Sequence, residues 1–322
     1  MATTESALTT VEIAPGVTQI DHHFRGSPGV IASYLLHDGE DLTLVEAGPA
    51  STTDTLLAGI RAAGFDPERI TRILLTHVHL DHAGAAGILV RRFPRAQVYV
   101  HPAGVRHLVD PSRLLASATR IYGALMQPLW GDVLPVPAER VVALADGESL
   151  PASGRTLRAV DTPGHAKHHL SFFDASTSAL FTGDVAGIRL GPTPHVRPPT
   201  PPPDLDPPLW LKSIARIRAL RPARLYLTHF GGFDDVDWHL DDLMARLFTW
   251  TGAVRAQLEH GAAPSDIVGM LRRWDAPALA DPAVTARYEK AGNYDMSVNG
   301  FVHYFERNAR NAASPSAIPA LP

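Results

Sequence analysis

Thr76-His77-Val78-His79-Leu80-Asp81-His82 packs three imidazoles and a carboxylate into six residues, from His77 to His82. Imidazole and carboxylate together suit zinc and similar first-row divalent metals. Crowded at one strand end without a cation, these groups would repel one another or stay unused. The apolar run Ile70-Thr71-Arg72-Ile73-Leu74-Leu75 leads directly into them. Three later segments repeat the arrangement. Leu157-Arg158-Ala159-Val160 leads through Asp161-Thr162-Pro163-Gly164 to His165, Ala179 to Gly183 leads to Asp184, and Arg224 to Thr228 leads to His229.

In layered α/β folds, sites collect beyond the carboxyl ends of strands. The expectation is that these segments bring His77, His79, Asp81, His82, His165, Asp184 and His229 to one rim. The motifs H-x-H-x-D-H at 77–82, P-G-H at 163–165, T-G-D at 182–184 and T-H-F-G at 228–231 occur in that order within residues 11–235. In this the chain resembles metallo-β-lactamase superfamily hydrolases, in particular the glyoxalase II and lactonase-like branch. The resemblance implies an α/β fold, a four-layer αβ/βα sandwich. It also implies two divalent metals, zinc with iron or manganese as alternatives. His77, His79 and His165 would hold the first, and Asp81, His82 and His229 the second. Asp184 would bridge them, so that Asp81 and Asp184 are the acids nearest the reaction.

Composition narrows the chemistry. The chain has 322 residues, 45% hydrophobic and 19% charged, which is ordinary for a globular protein with a sizeable core. Its net charge of −4 gives no attraction to nucleic acid. With no cysteine, the metal ligands must be nitrogen and oxygen donors. No apolar stretch is long enough to span a bilayer and no secretory-type segment opens the chain, so a cytoplasmic protein is expected. There is no G-x-S-x-G, no thiol nucleophile and no phosphate loop. The nucleophile would then be metal-bound hydroxide, acting on an ester, lactone or thioester of a small molecule. A phosphodiesterase or nuclease, or a mononuclear iron dioxygenase on the same fold, is the alternative.

The elements that must position these groups follow from pattern. Strands are expected at 17–21, 30–36, 42–46, 70–75, 97–101, 141–144, 157–160, 170–174, 179–182 and 224–228. Helices are expected near 51–64 and from His82 to Phe93, stopped by Pro94. Pro192 to Pro208, with Pro198-Pro199-Thr200-Pro201-Pro202-Pro203, reads as an extended connector. A catalytic domain over 11–235 would be followed by a helical C-terminal extension over 236–310. Residues 1–10 and 312–322 are expected to be disordered tails.

Around the ligands, Glu46 stands where the resembled family carries an aspartate supporting a metal histidine, so it is expected behind the ligands. His169, four residues after His165, is expected there too, and His168 at the surface. Residues 121–131 read as apolar but irregular. They would form a lid or pocket wall through Tyr122 and Trp130, or else core or a homodimer contact. His195 in the connector is expected to face substrate.

Overall fold

The computed structural model describes residues 9–191 and 193–313 and builds four layers. The first sheet runs in sequence order through β1 (Thr10–Ala14), β2 (Val17–Asp21), β3 (Ala32–Leu36), β4 (Leu42–Val45), β5 (Ile70–Leu74), β6 (Gln97–Val100) and β7 (Val141–Ala143). Pairing is antiparallel from β1 to β4 and parallel from β4 to β7. The second sheet contains β8 (Ser149–Ala152), β9 (Arg155–Asp161), β10 (Leu170–Asp174), β11 (Ala179–Phe181), β12 (Arg224–Leu227) and β13 (Gly231–Phe233), also in sequence order.

The two sheets face each other through Tyr34, Leu36, Val45 and Leu74 on one side and Leu157, Phe172, Phe181 and Tyr226 on the other. The opposite faces are covered as well. Leu35, Leu44, Ile73 and Val98 pack on α1 (Thr53–Ala62), with α2 (Leu80–Ala83) and α3 (Ala86–Arg92) following β5. Two covered faces explain why β3 and β4 are buried at every position and read as continuous apolar runs. The expected helix from His82 to Phe93 is therefore two helices. The chain turns at Gly84 and Ala85, where a Cβ on Gly84 would stand 2.9 Å from the Ala50 nitrogen.

Two helices, α4 (Pro102–Val109) and α5 (Ser112–Tyr122), lead to α6 (Met126–Trp130). The 121–131 segment is thus largely helical, which corrects its reading as irregular. Gly123 at φ 52° and Gly131 at φ 68° end the two helices and broke the apolar period. The connector ends in α7 (Pro207–Leu220). Asp206 caps this helix through the Leu209 N–H, and Pro207 occupies its first turn, where a missing N–H costs nothing.

Four more helices follow: α8 (Val236–Glu259), α9 (Pro264–Asp275), α10 (Pro282–Ala291) and α11 (Tyr294–Ala313). In α8, Leu240, Leu243, Leu247, Trp250 and Val254 recur at helical spacing and share one core with α7 and the second sheet. The C-terminal helices therefore complete the outer layer. Apart from residues 9–10 and 312–313, the expected disordered tails lie outside the described residues. Thr10 pairs with Ile20, and α11 runs to Ala313. No helix among the described residues is long and apolar enough to cross a membrane.

Candidate metal centre

β5 ends at Leu74, and the chain then turns into α2, with His79 at its N-cap and Asp81 and His82 within it. This turn is tied back to the neighbouring strand end. The Ala47 and Gly48 N–H groups both donate to the His82 carbonyl, at 2.8 and 3.0 Å. His165 follows β9, Asp184 follows β11 and His229 follows β12. All seven residues converge. His79 Nδ1 lies 2.9 Å from His77 Nε2 and 3.0 Å from His165 Nε2. Asp184 Oδ1 lies 3.2 Å from His82 Nε2 and 3.5 Å from His229 Nε2, while its Oδ2 lies 3.3 Å from His165 Nε2. Asp81 Oδ2 lies 3.4 Å from His229 Nε2.

The outward nitrogens fix the tautomers. His229 Nδ1 donates to the Val30 carbonyl at 2.8 Å, and His165 Nδ1 donates to the Pro199 carbonyl at 2.8 Å. His82 Nδ1 donates to Glu46 Oε1 at 3.0 Å. Each proton is then on Nδ1, and each Nε2 lone pair points inward. His82 Nε2, His229 Nε2 and Asp184 Oδ1 are buried without a hydrogen-bond partner. Orphaned buried acceptors cost free energy unless something satisfies them. Two compact triads, His77–His79–His165 and Asp81–His82–His229, each suit one cation, with Asp184 between them. The donor set fits two divalent metals.

Burial opposes charge on His82 and His229, but Asp184 and Asp81 outweigh it and raise both, so the carboxylates draw positive charge to the point where the triads meet. Burial, then His82, hold His77 well below the ordinary imidazole range, so its lone pair is free. Burial opposes ionisation of Asp184, but His82, His229 and His165 outweigh it and hold the carboxyl well below its usual range. Gly183 precedes it at φ 54°, and a Cβ there would stand 2.4 Å from Thr76 Oγ1. Only glycine brings the backbone that close.

Glu46 sits behind the ligands in the left-handed region, at φ 66°, where a non-glycine residue is strained. Its Oε1 accepts from Thr76 Oγ1 at 2.6 Å, from His82 Nδ1 and from Thr228 Oγ1 at 3.2 Å. Thr76 Oγ1, having donated its proton, can accept from His77 Nδ1 at 3.0 Å. One carboxylate thus holds His82 directly and His77 through a hydroxyl. Glu46→Gln is expected to lower metal affinity or kcat/KM by about 10–100-fold. Chelator competition checks this, and wild-type affinity with wild-type turnover would remove the role.

His169 is fully buried. Its Nδ1 faces Thr162 Oγ1 at 2.9 Å, and its Nε2 accepts the Asp184 backbone N–H at 3.2 Å. It therefore positions Asp184. His168 is also buried, against the expectation of a surface residue, because α4 packs over it and leaves Gly104 beside its Cβ. Tyr122 and Trp130 line a cleft of about 320 Å³ whose floor includes His79, Asp81, His165 and Asp184. Pro199 to Pro203 of the connector form another wall.

His195 does not face this cleft. An antiparallel bridge pairs Ile188 with Arg197, and His195 beside it lies buried in the protein, 3.3 Å from Asp275. Nearness to Asp184 in sequence misled here. The carbonyl anchors Val30 and Pro199 were also missed, and a backbone oxygen carries no sequence signal. Thr76 could have been found from its place between strand and ligands.

Comparison with known proteins agrees with the architecture. The metallo-beta-lactamase superfamily model matches residues 26–229. An atrochrysone carboxyl ACP thioesterase of Aspergillus fumigatus is 31% identical over 178 residues, 53% of this chain. This chain spans 45% of that protein's length. A hydroxyacylglutathione hydrolase of a Synechococcus strain is 27% identical over 258 residues, covering 76% of this chain and 85% of that one. A metallo-beta-lactamase family protein of Thermus thermophilus superposes with a TM-score of 0.68 at 21% identity, over 92% of this chain and 95% of its own. With the family match extending from Gly26 to His229, the last of the converging ligands, the chain belongs to the metallo-beta-lactamase superfamily.

Proposed function

We propose that this protein is a dinuclear metal-dependent hydrolase of small-molecule esters, lactones or thioesters, with thioesters the favoured class. The observation that carries the reading is the convergence of seven nitrogen and oxygen donors, four of which (His79, Asp81, His165 and Asp184) line the floor of an apolar-walled cleft. The likeness to a thioesterase and to a hydroxyacylglutathione hydrolase supports the thioester. Two divalent ions, zinc or alternatively iron or manganese, would supply an activated water and polarise the scissile carbonyl. Held by the His77–His79–His165 and Asp81–His82–His229 triads and Asp184, they would keep positions open for water and substrate.

The chain's own residues do the rest. Glu46, Thr76, Val30 and Pro199 orient the imidazoles, and His169 orients the Asp184 backbone. Phe24, Tyr122 and Trp130 exclude water from one side. Trp130 stacks on Phe24 with ring centres 5.6 Å apart, and Tyr122 meets its edge at 5.1 Å. Trp130 is nearly buried and backs the wall, whereas Tyr122 is half-exposed and presents it. Tyr122→Ala is expected to raise KM about tenfold for bulky acyl groups and little for acetyl, from the apolar contact it loses. Equal loss for all acyl sizes would instead make it a packing residue.

Elemental analysis of protein purified without chelator, beside assays on an ester, a lactone, a thioester and a phosphodiester, tests the proposal. Two metal equivalents with carbonyl hydrolysis are expected. A fully active single-metal form, or turnover of the phosphodiester alone, would overturn it.

A further inference from the structure

The charges lining the cleft do not match the charge of the chain. Leaving aside Asp81 and Asp184, the lining holds four cations, Arg25, Arg113, Lys167 and Lys290, against two carboxylates, Asp204 and Glu289. The protein as a whole carries −4. Three of these charges are met locally. Lys167 pairs with Asp204 at 3.0 Å, and Glu289 faces Arg272 at 3.5 Å.

Arg25 and Lys290 are different. They come from opposite ends of the chain and meet at one lip of the cleft. The Lys290 ammonium donates to Ser27 Oγ and, at 3.5 Å, to the Arg25 carbonyl, both of them neutral oxygens. Among the described residues, neither side chain has a carboxylate partner. Arg25 is held at φ 54° between the buried Phe24 and Gly26, so the turn that presents it is fixed by Phe24 packing on Trp130. Beyond Lys290, the lining continues through Ala291 and Gly292 to Met296, which accepts from the Tyr122 hydroxyl at 3.6 Å. The two cations thus flank the apolar wall itself.

We propose that the cleft takes an amphipathic substrate, with an apolar body against Phe24 and Tyr122 and an oxyanion, carboxylate or phosphate, at Arg25 and Lys290. The inference rests on the hydrolase reading and narrows its substrate class. Two uncompensated cations beside an apolar surface attract a charged group and orient the rest of the molecule. A surface location makes that attraction modest and salt-sensitive. The oxyanion could belong to the acyl half or to the departing half of the substrate.

Two matched pairs separate these sources. Octanoyl and suberyl thioesters of N-acetylcysteamine differ only by a terminal carboxylate on the acyl half. Octanoyl pantetheine and octanoyl phosphopantetheine differ only by a phosphate on the thiol half. In one pair the charged member should show kcat/KM about fivefold or more above the neutral member at low salt. That ratio should fall towards one in Arg25→Gln/Lys290→Gln and at high salt. Ratios near one in both pairs for the wild type would overturn the inference, as would a high ratio that survives the double substitution. If none of the four is hydrolysed, the hydrolase reading fails separately. Calorimetric binding of suberate against octanoate, and of phosphopantetheine against pantetheine, then decides the inference by the same ratios. Unfolding curves establish that the double variant is folded.

Discussion

Asp184→Ala is expected to lower kcat/KM by about a thousandfold and to cut the metal content of the protein as purified. Its carboxylate touches three ligand histidines, with one oxygen towards His82 and His229 and the other towards His165. Among the described residues, no other carboxylate reaches both triads in this way. The substitution would leave inward nitrogens of both groups facing one another without the intervening anion. Electrostatic stabilisation by such a centre is worth several kcal/mol, and a thousandfold corresponds to about 4 kcal/mol. Asp184→Asn keeps the shape and one oxygen but removes the charge, so an intermediate loss is expected. Elemental analysis and single-substrate kinetics on the same preparations are the check. Full metal content with activity within tenfold of wild type would show that Asp184 does not join the triads. Unfolding curves separate this from collapse, because Gly183 and His169 still hold the backbone there.

The legible part of this protein is the part where periodicity and ligand chemistry coincide. β4 and β11 read correctly because both their faces are buried, and β5 and β9 because their apolar residues run up to the ligand segments despite Arg72 and Arg158. Less legible were elements whose signals were local and mixed. The Asp206 cap and the Pro207 start of α7 were absorbed into a proline-rich run that reads as extended. α5 and α6 carry an apolar stripe interrupted by Gly123, Pro128 and Gly131, which mimics irregular chain. His168 read as a surface residue, yet it lies in the turn before β10 that α4 covers, a contact between distant segments that no local pattern announces. His195 failed for a different reason, since the bridge between Ile188 and Arg197, which no pattern around His195 signals, sets which way it points.

That bridge leads to the last expectation, a loss of about 3–5 kcal/mol of stability in Asp275→Ala. Asp275, at the end of α9, is buried among four cationic and polar partners from three other parts of the chain. Its Oδ1 accepts from Arg246 of α8 at 2.8 Å, and its Oδ2 accepts from the Tyr294 hydroxyl of α11 at 2.7 Å. From the connector, His195 lies 3.3 Å away and Arg197 3.6 Å away. Arg197 is fully buried; its hydrogen bonds go to the Gly292 carbonyl and the Tyr294 hydroxyl, and its guanidinium lies over the Tyr288 and Tyr294 rings. Removing Asp275 would strand its charge, which costs more than the intact network contributes. Burial opposes ionisation of Asp275, but His195, Arg197 and Arg246 hold its carboxyl below the ordinary range. A carboxyl depressed in the folded state stabilises above its unfolded pKa, near 4, and loses that contribution as pH falls through the folded value. The stability gap between wild type and Asp275→Ala should therefore be full at neutral pH and narrow only in acid. The effect should also reach the metal centre. The connector that carries His195 and Arg197 continues to Pro199, whose carbonyl fixes the His165 tautomer, and to the cleft wall at Pro201 to Pro203. Denaturant unfolding across pH, with chelator competition on the same variant, tests both halves. A loss under about 1 kcal/mol at neutral pH, with wild-type metal affinity, would mean that the network neither holds the helices nor supports His165.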